Sequence, residues 1–258
     1  TMKCGLIGKH ISHSLSNKLH PLIARMNDYD VSYDLIDIDT SSLKDYVDLL
    51  KKGIYQGYNI TTPYKQTIIP FLDVVSEEVS RIGACNTVMV KEGKLYGYNT
   101  DHYGFLKTIE THNIPDAYIL GTGGAARICY DVLVRKGFNV FVVSRTPRVD
   151  DYFKTMLSYE DFYRIKEIPL LVNATPVGAY PSTLSPIKDT NQAIHTVIDL
   201  LYNPKVTTIM KRGKESINGM EMLIYQGILS QSIWQNKTLK EDLESINYLK
   251  GALYEHIR

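Results

Sequence analysis

The sequence holds 258 residues, and at roughly 150 residues per domain that length favours two domains of modest size, each able to bury a core. Hydrophobic residues at 44% and charged residues at 22% exclude disordered, collagen-like and coiled-coil readings. Lys plus Arg (29) against Asp plus Glu (28) leave a net charge of +1, too little to draw in a polyanion, so nucleic-acid binding is not expected. Cys4, Cys85 and Cys129 are widely spaced and lack a CxxC pattern, which argues against a disulfide framework and a zinc site and for a cytoplasmic setting. No apolar run approaches the ~18 residues of a membrane span, and no export signal is expected. Met2 is expected to be the initiator, with Thr1 outside the fold.

In chain order, Lys3 to Gly8 predicts a strand and Ser16 to Met26 a helix, with Leu19, Leu22, Ile23 and Met26 at helical spacing. Val31 to Asp37 follows as a strand, Ser42 to Lys52 as an amphipathic helix and Tyr58 to Thr61 as a third strand. This alternation implies a parallel sheet. Beyond Pro63 two short helical stretches are expected, then a hairpin of Thr87 to Lys91 and Lys94 to Asn99 turning at Glu92-Gly93. Asp101 is placed as the cap of a helix running to about Thr111, and the polar stretch His112 to Asp116 separates it from a new strand, Ala117 to Leu120. The pattern then restarts: a glycine turn, a helix to Lys136, a strand Asn139 to Ser144, a helix, and strands Leu170 to Asn173 and Thr196 to Leu200. Gly219 to Gln235 and Leu239 to His256 read as two C-terminal helices. The expected fold class is α/β with two α/β domains, residues 1–101 and 102–218, the second a Rossmann-type dinucleotide-binding domain, followed by helices over 219–258.

The strongest local signal is Gly121-Thr122-Gly123-Gly124-Ala125-Ala126, a GxGxxA turn between a strand and a helix. Its first glycine permits the tight turn, its second lets backbone approach a pyrophosphate, and the small Ala126 lets helix pack on strand. The end of the second strand selects the dinucleotide. An NAD site usually carries an acid there for the ribose hydroxyls, whereas this chain has Ser144-Arg145-Thr146, with Arg148 close behind. A guanidinium pairs with phosphate oxygens, so the expected cofactor is NADP. The alternative is a solvated surface Arg.

Ser14 and Ser16 flank Leu15 after the first strand, and alternate hydroxyls on one side of a loop can bind a carboxylate or cap the following helix. They keep company with NITTPYK (Asn59 to Lys65), GACNTV (Gly83 to Val88), GYNTD (Gly97 to Asp101), DLLYNP (Asp199 to Pro204) and NGMEMLIYQ (Asn218 to Gln226). In order and spacing this set resembles the shikimate dehydrogenase family along essentially the whole chain. Two positions depart from the family pattern: Ser144 stands where Asn is usual, and Ala179 where Met is more typical.

The resemblance implies NADP-dependent, reversible reduction of 3-dehydroshikimate to shikimate, on the route to chorismate and the aromatic amino acids. It implies that 1–101 is the substrate-binding domain and that the C-terminal helices return to it. Residue by residue, it implies that Ser14 and Ser16 bind the substrate carboxylate, that Thr61, Asn86, Tyr202 and Gln226 line the pocket, and that Lys65 and Asp101 are the catalytic pair, Asp101 also touching substrate. Gly121, Thr122, Gly123, Gly124 and Ala125 would hold the pyrophosphate, Ser144, Arg145 and Thr146 the adenosine phosphate end, and Leu200 and Gly219 the nicotinamide side. Outside the motif context, Lys65 would read as a surface lysine and Asp101 as a helix cap. His10, His13 and His20 form no ligand constellation, and no metal is expected. Two alternatives stand beside this reading: a quinate/shikimate dehydrogenase, disfavoured by Arg145 without a nearby acid, and a non-catalytic dinucleotide-binding module, disfavoured by the presence of both Lys65 and Asp101.

Overall fold

The structure, a computed structural model, describes residues 1–113 and 115–258. Ile114, inside the polar stretch His112 to Asp116, lies outside the described residues. The chain separates into two compact units, 1–104 with 223–256 and 105–222 with 257–258.

The first unit opens with β1 (Met2–Gly8), α1 (Ser16–Met26), β2 (Val31–Asp37), α2 (Leu43–Lys51), β3 (Gly57–Ile60), β4 (Val74–Val75), α3 (Glu77–Ile82), β5 (Thr87–Lys91) and β6 (Lys94–Tyr98), and takes in the start of α4 (Thr100–Ile109). Helix α2 buries Leu43, Val47 and Leu50, a four-then-three spacing that puts all three on one face. The strands order as β2-β1-β3-β5-β6-β4. Strands β2, β1 and β3 are parallel, as the strand-helix alternation predicts. The sheet as a whole is mixed, because β5 runs antiparallel to both β3 and β6. The β5–β6 pairing has a local cause: Glu92 and Gly93 take positive φ of 51° and 73°, the two-residue turn whose twist matches paired antiparallel strands.

The second unit comprises β7 (Asp116–Leu120), α5 (Gly124–Arg135), β8 (Asn139–Ser144), β9 (Met156–Ser158), α6 (Tyr159–Tyr163), β10 (Glu167–Asn173), β11 (Ala193–Asp199) and β12 (Gly213–Ile217). All pairings are parallel, in the order β12-β11-β10-β7-β8-β9. The chain therefore runs outward from β7 to β9 and returns to the other side at β10. That reversal between β7 and β10 is where a doubly wound sheet opens a ligand crevice at its carboxyl edge. Sequence periodicity finds neither β9 nor β12. Both are edge strands, and β12 exposes Lys214, Glu215 and Ser216, so no apolar alternation marks it.

Two C-terminal helices complete the chain, α7 (Met220–Gln235) and α8 (Leu243–Tyr254), the latter starting four residues later than Leu239 because Asp242 caps it through Ser245 N–H at 2.9 Å. Residues 223–256 belong to the first unit. Trp234 donates its indole N–H to Val88 O at 3.1 Å. Gln231 donates to both the backbone oxygen of His20 at 2.8 Å and its Nδ1 at 2.9 Å. Among the described residues, no helix is long and apolar enough to cross a membrane.

His20 stacks on Tyr33, ring centroids 4.1 Å apart, and is fully buried. Because Nδ1 accepts from Gln231, the ring proton sits on Nε2, which has no partner. Burial lowers the pKa of this imidazole to about 3, an effect that the nearby Asn59 amide only partly offsets. The unfolded chain takes up a proton near pH 6.5 and the folded chain does not, so the stability held above that pH is lost as pH falls toward 3. Chemical denaturation at pH 7.5 and pH 5 should show the native chain losing about 2 kcal/mol more than His20→Gln over that interval. Equal losses would mean that His20 protonates in the folded state.

Candidate active site

In the first unit the serine loop is fixed by the strand ends around it. The Asp37 carboxylate, at the end of β2, accepts the N–H groups of His10 at 3.1 Å and Ile11 at 3.2 Å, and Ser14 N–H donates to Ile11 O at 3.0 Å. Ser14 Oγ accepts the N–H of Ser16 at 3.2 Å, so it satisfies one free donor at the start of α1 and keeps its own O–H to donate. The capping and carboxylate-binding readings of Ser14 are therefore compatible. Ser16 is buried, and Thr61, directly after β3, donates its N–H to Ile7 O at 2.9 Å.

Lys65 and Asp101 come from separate motifs and meet as an ion pair, Nζ to Oδ2 2.7 Å, with side chains 24% and 19% exposed. Both are sheltered yet reachable from solvent. Asp101 is not the helix cap: Asn99 Oδ1 accepts the N–H of His102 at 3.1 Å, and Asp101 stands inside the first turn of α4. Asn99 fills the cap because its amide also ties back to Ala84 O at 3.0 Å, leaving the Asp101 carboxylate free for Lys65. A carboxylate in a first turn also gains from the positive end of the helix.

Beneath the pair lies a buried hydroxyl-amide cluster. Asn86 Oδ1 accepts the N–H of Thr100 at 2.6 Å, and Asn86 Nδ2 donates to Thr100 Oγ1 at 2.9 Å, which locks the residue preceding Asp101. Thr87, Thr100 and Ser230 hydroxyls stand 3.0 Å from one another, and Asn59 donates to Thr87 Oγ1 at 3.0 Å and Ser230 Oγ at 2.9 Å. Ser230 in turn donates to Gln226 O at 2.9 Å. The structure thus brings Lys65, Asp101 and Asn86 into one network and fixes the backbone of Gln226. Gln226 itself is buried and donates Nε2 to Leu223 O at 2.7 Å.

In the second unit, Gly121 follows β7 at φ 108°, and a Cβ there would stand 3.2 Å from Ala174 O and from Thr175 Cγ2. Gly123 and Gly124 face open space. Backbone can come close to a ligand at this turn, where the N-terminal N–H groups of α5 await an anion. A cleft of about 1350 Å³ extends from Gly121, Thr122 and Gly123 past Ser144, Arg145 and Thr146 to Thr175, Tyr159 and Tyr163. Ser144 Oγ accepts the N–H of Thr146 at 3.1 Å and so shapes that strand end. Arg148 is paired with Asp150 at 3.1 Å, whereas exposed Arg145 has no carboxylate partner among the described residues. Arg145 is the guanidinium available to a phosphate. These residues fit a dinucleotide phosphate.

The other expected cofactor and pocket residues lie off that cleft wall. Gly124 and Ala125 open α5. Gly219 packs backbone to backbone on the Leu200 carbonyl, leaving no room for a Cβ, and donates its N–H to Leu201 O at 2.9 Å. Tyr202 follows in the same segment. One group escapes the sequence reading: Asp199, the last residue of β11, has a fully buried carboxylate that accepts from Leu201 N–H at 3.0 Å, Asn173 Nδ2 at 3.2 Å and Thr207 O–H at 2.6 Å. Burial pushes its pKa up, and the three donors pull it down. Its place at a strand end in DLLYNP is visible, but sequence does not tell a buried acid from a solvated one.

The family description "Shikimate dehydrogenase substrate binding domain" matches residues 6–88. A protein named shikimate dehydrogenase (NADP(+)) from Clostridium beijerinckii is 35% identical over 253 residues, spanning 93% of this chain and 94% of its own. The crystal structure of shikimate dehydrogenase 1 from Peptoclostridium difficile superposes with a TM-score of 0.87 at 32% identity, covering all of both chains. Shikimate 5-dehydrogenase from Thermus thermophilus, solved in complex with NADP(H) and shikimate, gives a TM-score of 0.86 at 29% identity, also over all of both chains. From motif order, site geometry and whole-length similarity together, the chain belongs to the shikimate dehydrogenase family.

Proposed function

We propose that this chain catalyses the NADP-dependent, reversible reduction of 3-dehydroshikimate to shikimate, in the route to chorismate and the aromatic amino acids. The observation that carries the reading is the sheltered 2.7 Å Lys65–Asp101 pair, in a chain whose other unit presents a glycine-lined cleft that reaches Arg145, which has no carboxylate partner among the described residues. NADP, when bound, supplies or accepts the hydride. What remains for the protein is the proton on the reacting oxygen and the orientation of the ring.

In the reducing direction the carbonyl carbon gains a hydride and its oxygen gains a proton. Lys65 Nζ has N–H donors beyond the one held by Asp101, and one of them can bond the carbonyl oxygen and deliver its proton as the alkoxide forms. Asp101 aims the ammonium and accepts a hydrogen bond from the hydroxyl produced. In the oxidising direction Lys65 takes that proton back. Ser14 and Ser16 hold the ring carboxylate through hydroxyl donors, while Thr61, Asn86, Gln226 and Tyr202 meet the ring hydroxyls. Neutral donors suit a polyhydroxylated anion, since they discriminate by hydrogen bonding. Gly121 to Ala125 present backbone N–H groups to the pyrophosphate. Ser144, Arg145 and Thr146 read the 2'-phosphate, and Leu200 and Gly219 border the nicotinamide. A cytoplasmic setting belongs to the same reading, supported by cysteines that stand as buried free thiols.

Lys65→Ala should lower kcat by at least ~100-fold while the chain keeps its melting temperature and still binds NADP. Asp101→Ala should be comparably damaging, and the double variant barely worse than either single one, because the two act as one unit. Near-normal turnover of a folded Lys65→Ala would contradict the assigned role. Arg145→Ala should weaken NADP by roughly 1.5 to 3 kcal/mol and leave NAD nearly unchanged, since it removes a charged contact to a phosphate that NAD lacks. Equal losses for the two cofactors in equilibrium titrations would show that Arg145 does not read the 2'-phosphate.

A further inference from the structure

Asp199 is a buried acid with no cation beside it among the described residues. Its carboxylate is 0% exposed, and the groups that bond it, Leu201 N–H, Asn173 Nδ2 and Thr207 O–H, are all neutral. Among the described residues no cation pairs with it. Burying an ion in this way is costly, and proteins usually replace such a group by a neutral one unless the charge has a use.

Stapling the loop does not require the charge. An Asn at this position could keep its Oδ1 toward Leu201 N–H and Asn173 Nδ2, while its Nδ2 faced Thr207, whose hydroxyl can turn from donor to acceptor. Hydrogen bonding therefore accounts for an Asp or an Asn equally well. The position is more telling. Asp199 ends β11, beside β10, in the β10–β12 half of a doubly wound sheet, and the crevice at the carboxyl ends of such strands takes the second mononucleotide of a dinucleotide. The Ser144 to Thr146 end of the cleft lies on the other half, at the end of β8. On the function proposed above, the second mononucleotide is the nicotinamide one, whose ring carries a positive charge when oxidised and none when reduced.

We propose that Asp199 is a buried countercharge for the oxidised nicotinamide and biases the bound cofactor toward NADP+ over NADPH. The carboxylate acts through its field without touching the cofactor. Its apolar neighbour Leu200 packs against the core of the unit. This inference rests on the assignment of NADP as cofactor.

The test is the ratio of the dissociation constants of NADP+ and NADPH for the native chain and for Asp199→Asn, measured by fluorescence titration at one ionic strength. Burial raises the carboxyl pKa, so the titrations are run at pH 8, well above the ordinary carboxylate range. The variant should raise Kd(NADP+)/Kd(NADPH) by about 10-fold, equivalent to about 1.4 kcal/mol of lost attraction for the charged ring. Its melting temperature should hold or rise, because a buried charge has gone. Asp199→Ser, smaller and also neutral, should shift the ratio in the same direction and serves if the Asn variant does not fold. An unchanged ratio in a folded variant that binds both forms overturns the proposal, and so does an equal weakening of both forms, which would leave a loop staple only. Failure of the native chain to bind either form would instead overturn the cofactor assignment.

Discussion

Three hydroxyls 3.0 Å apart, those of Thr87, Thr100 and Ser230, hold the first unit's chemistry in place. They come from β5, α4 and α7, the last more than a hundred residues from the other two, and Asn59 and Asn86 close the cluster with amide donors and acceptors. Buried polar groups are tolerated only when satisfied, so each member constrains the others. Thr100 is fixed by Asn86, Asp101 follows it in the helix, and Lys65 reaches Asp101. The same cluster ties the backbone of Gln226 to the sheet through Ser230. The catalytic pair gains the rigidity of a core without being buried in it.

The second unit solves a different problem by a different device. Its sheet is wholly parallel, and the order reversal between β7 and β10 leaves the carboxyl ends of several strands facing a common crevice. Charge is arranged there with economy. Arg148 is neutralised by Asp150, and Arg145 is left for a phosphate. Asp199 is sealed beneath the other half of the same edge among neutral donors.

Much of this is legible in the sequence. Helix α1 occupies the residues its periodicity predicts, Ser16–Met26, and β2 and β8 match their predicted spans, because each combines a clear apolar period with turn residues on both sides. The glycine turn is legible because its conformation demands particular residues. The hairpin of β5 and β6 is legible at Glu92-Gly93, but its antiparallel pairing with β3 is not, because the alternation of strands and helices does not say which strand a hairpin joins. Edge strands β9 and β12 escape periodicity, since an edge needs no apolar alternation. Asp101 reads as a cap from sequence because Asn99, two positions earlier, suits the same role and only its bond to Ala84 decides between them. The hydroxyl cluster is invisible for a more basic reason: Asn59 and Ser230 are 171 residues apart, and no local pattern marks two polar residues as partners across that distance. Asp199 shares that limit, as acids at strand ends are ordinarily solvated.

The central claim is that one chain joins a proton-handling Lys–Asp pair to a cofactor site that reads a 2'-phosphate. The most direct measurement follows absorbance of the reduced nicotinamide with shikimate or quinate as substrate, each with NADP or NAD. The account predicts rapid cofactor reduction only for shikimate with NADP. Comparable rates with NAD, or with quinate, would contradict it.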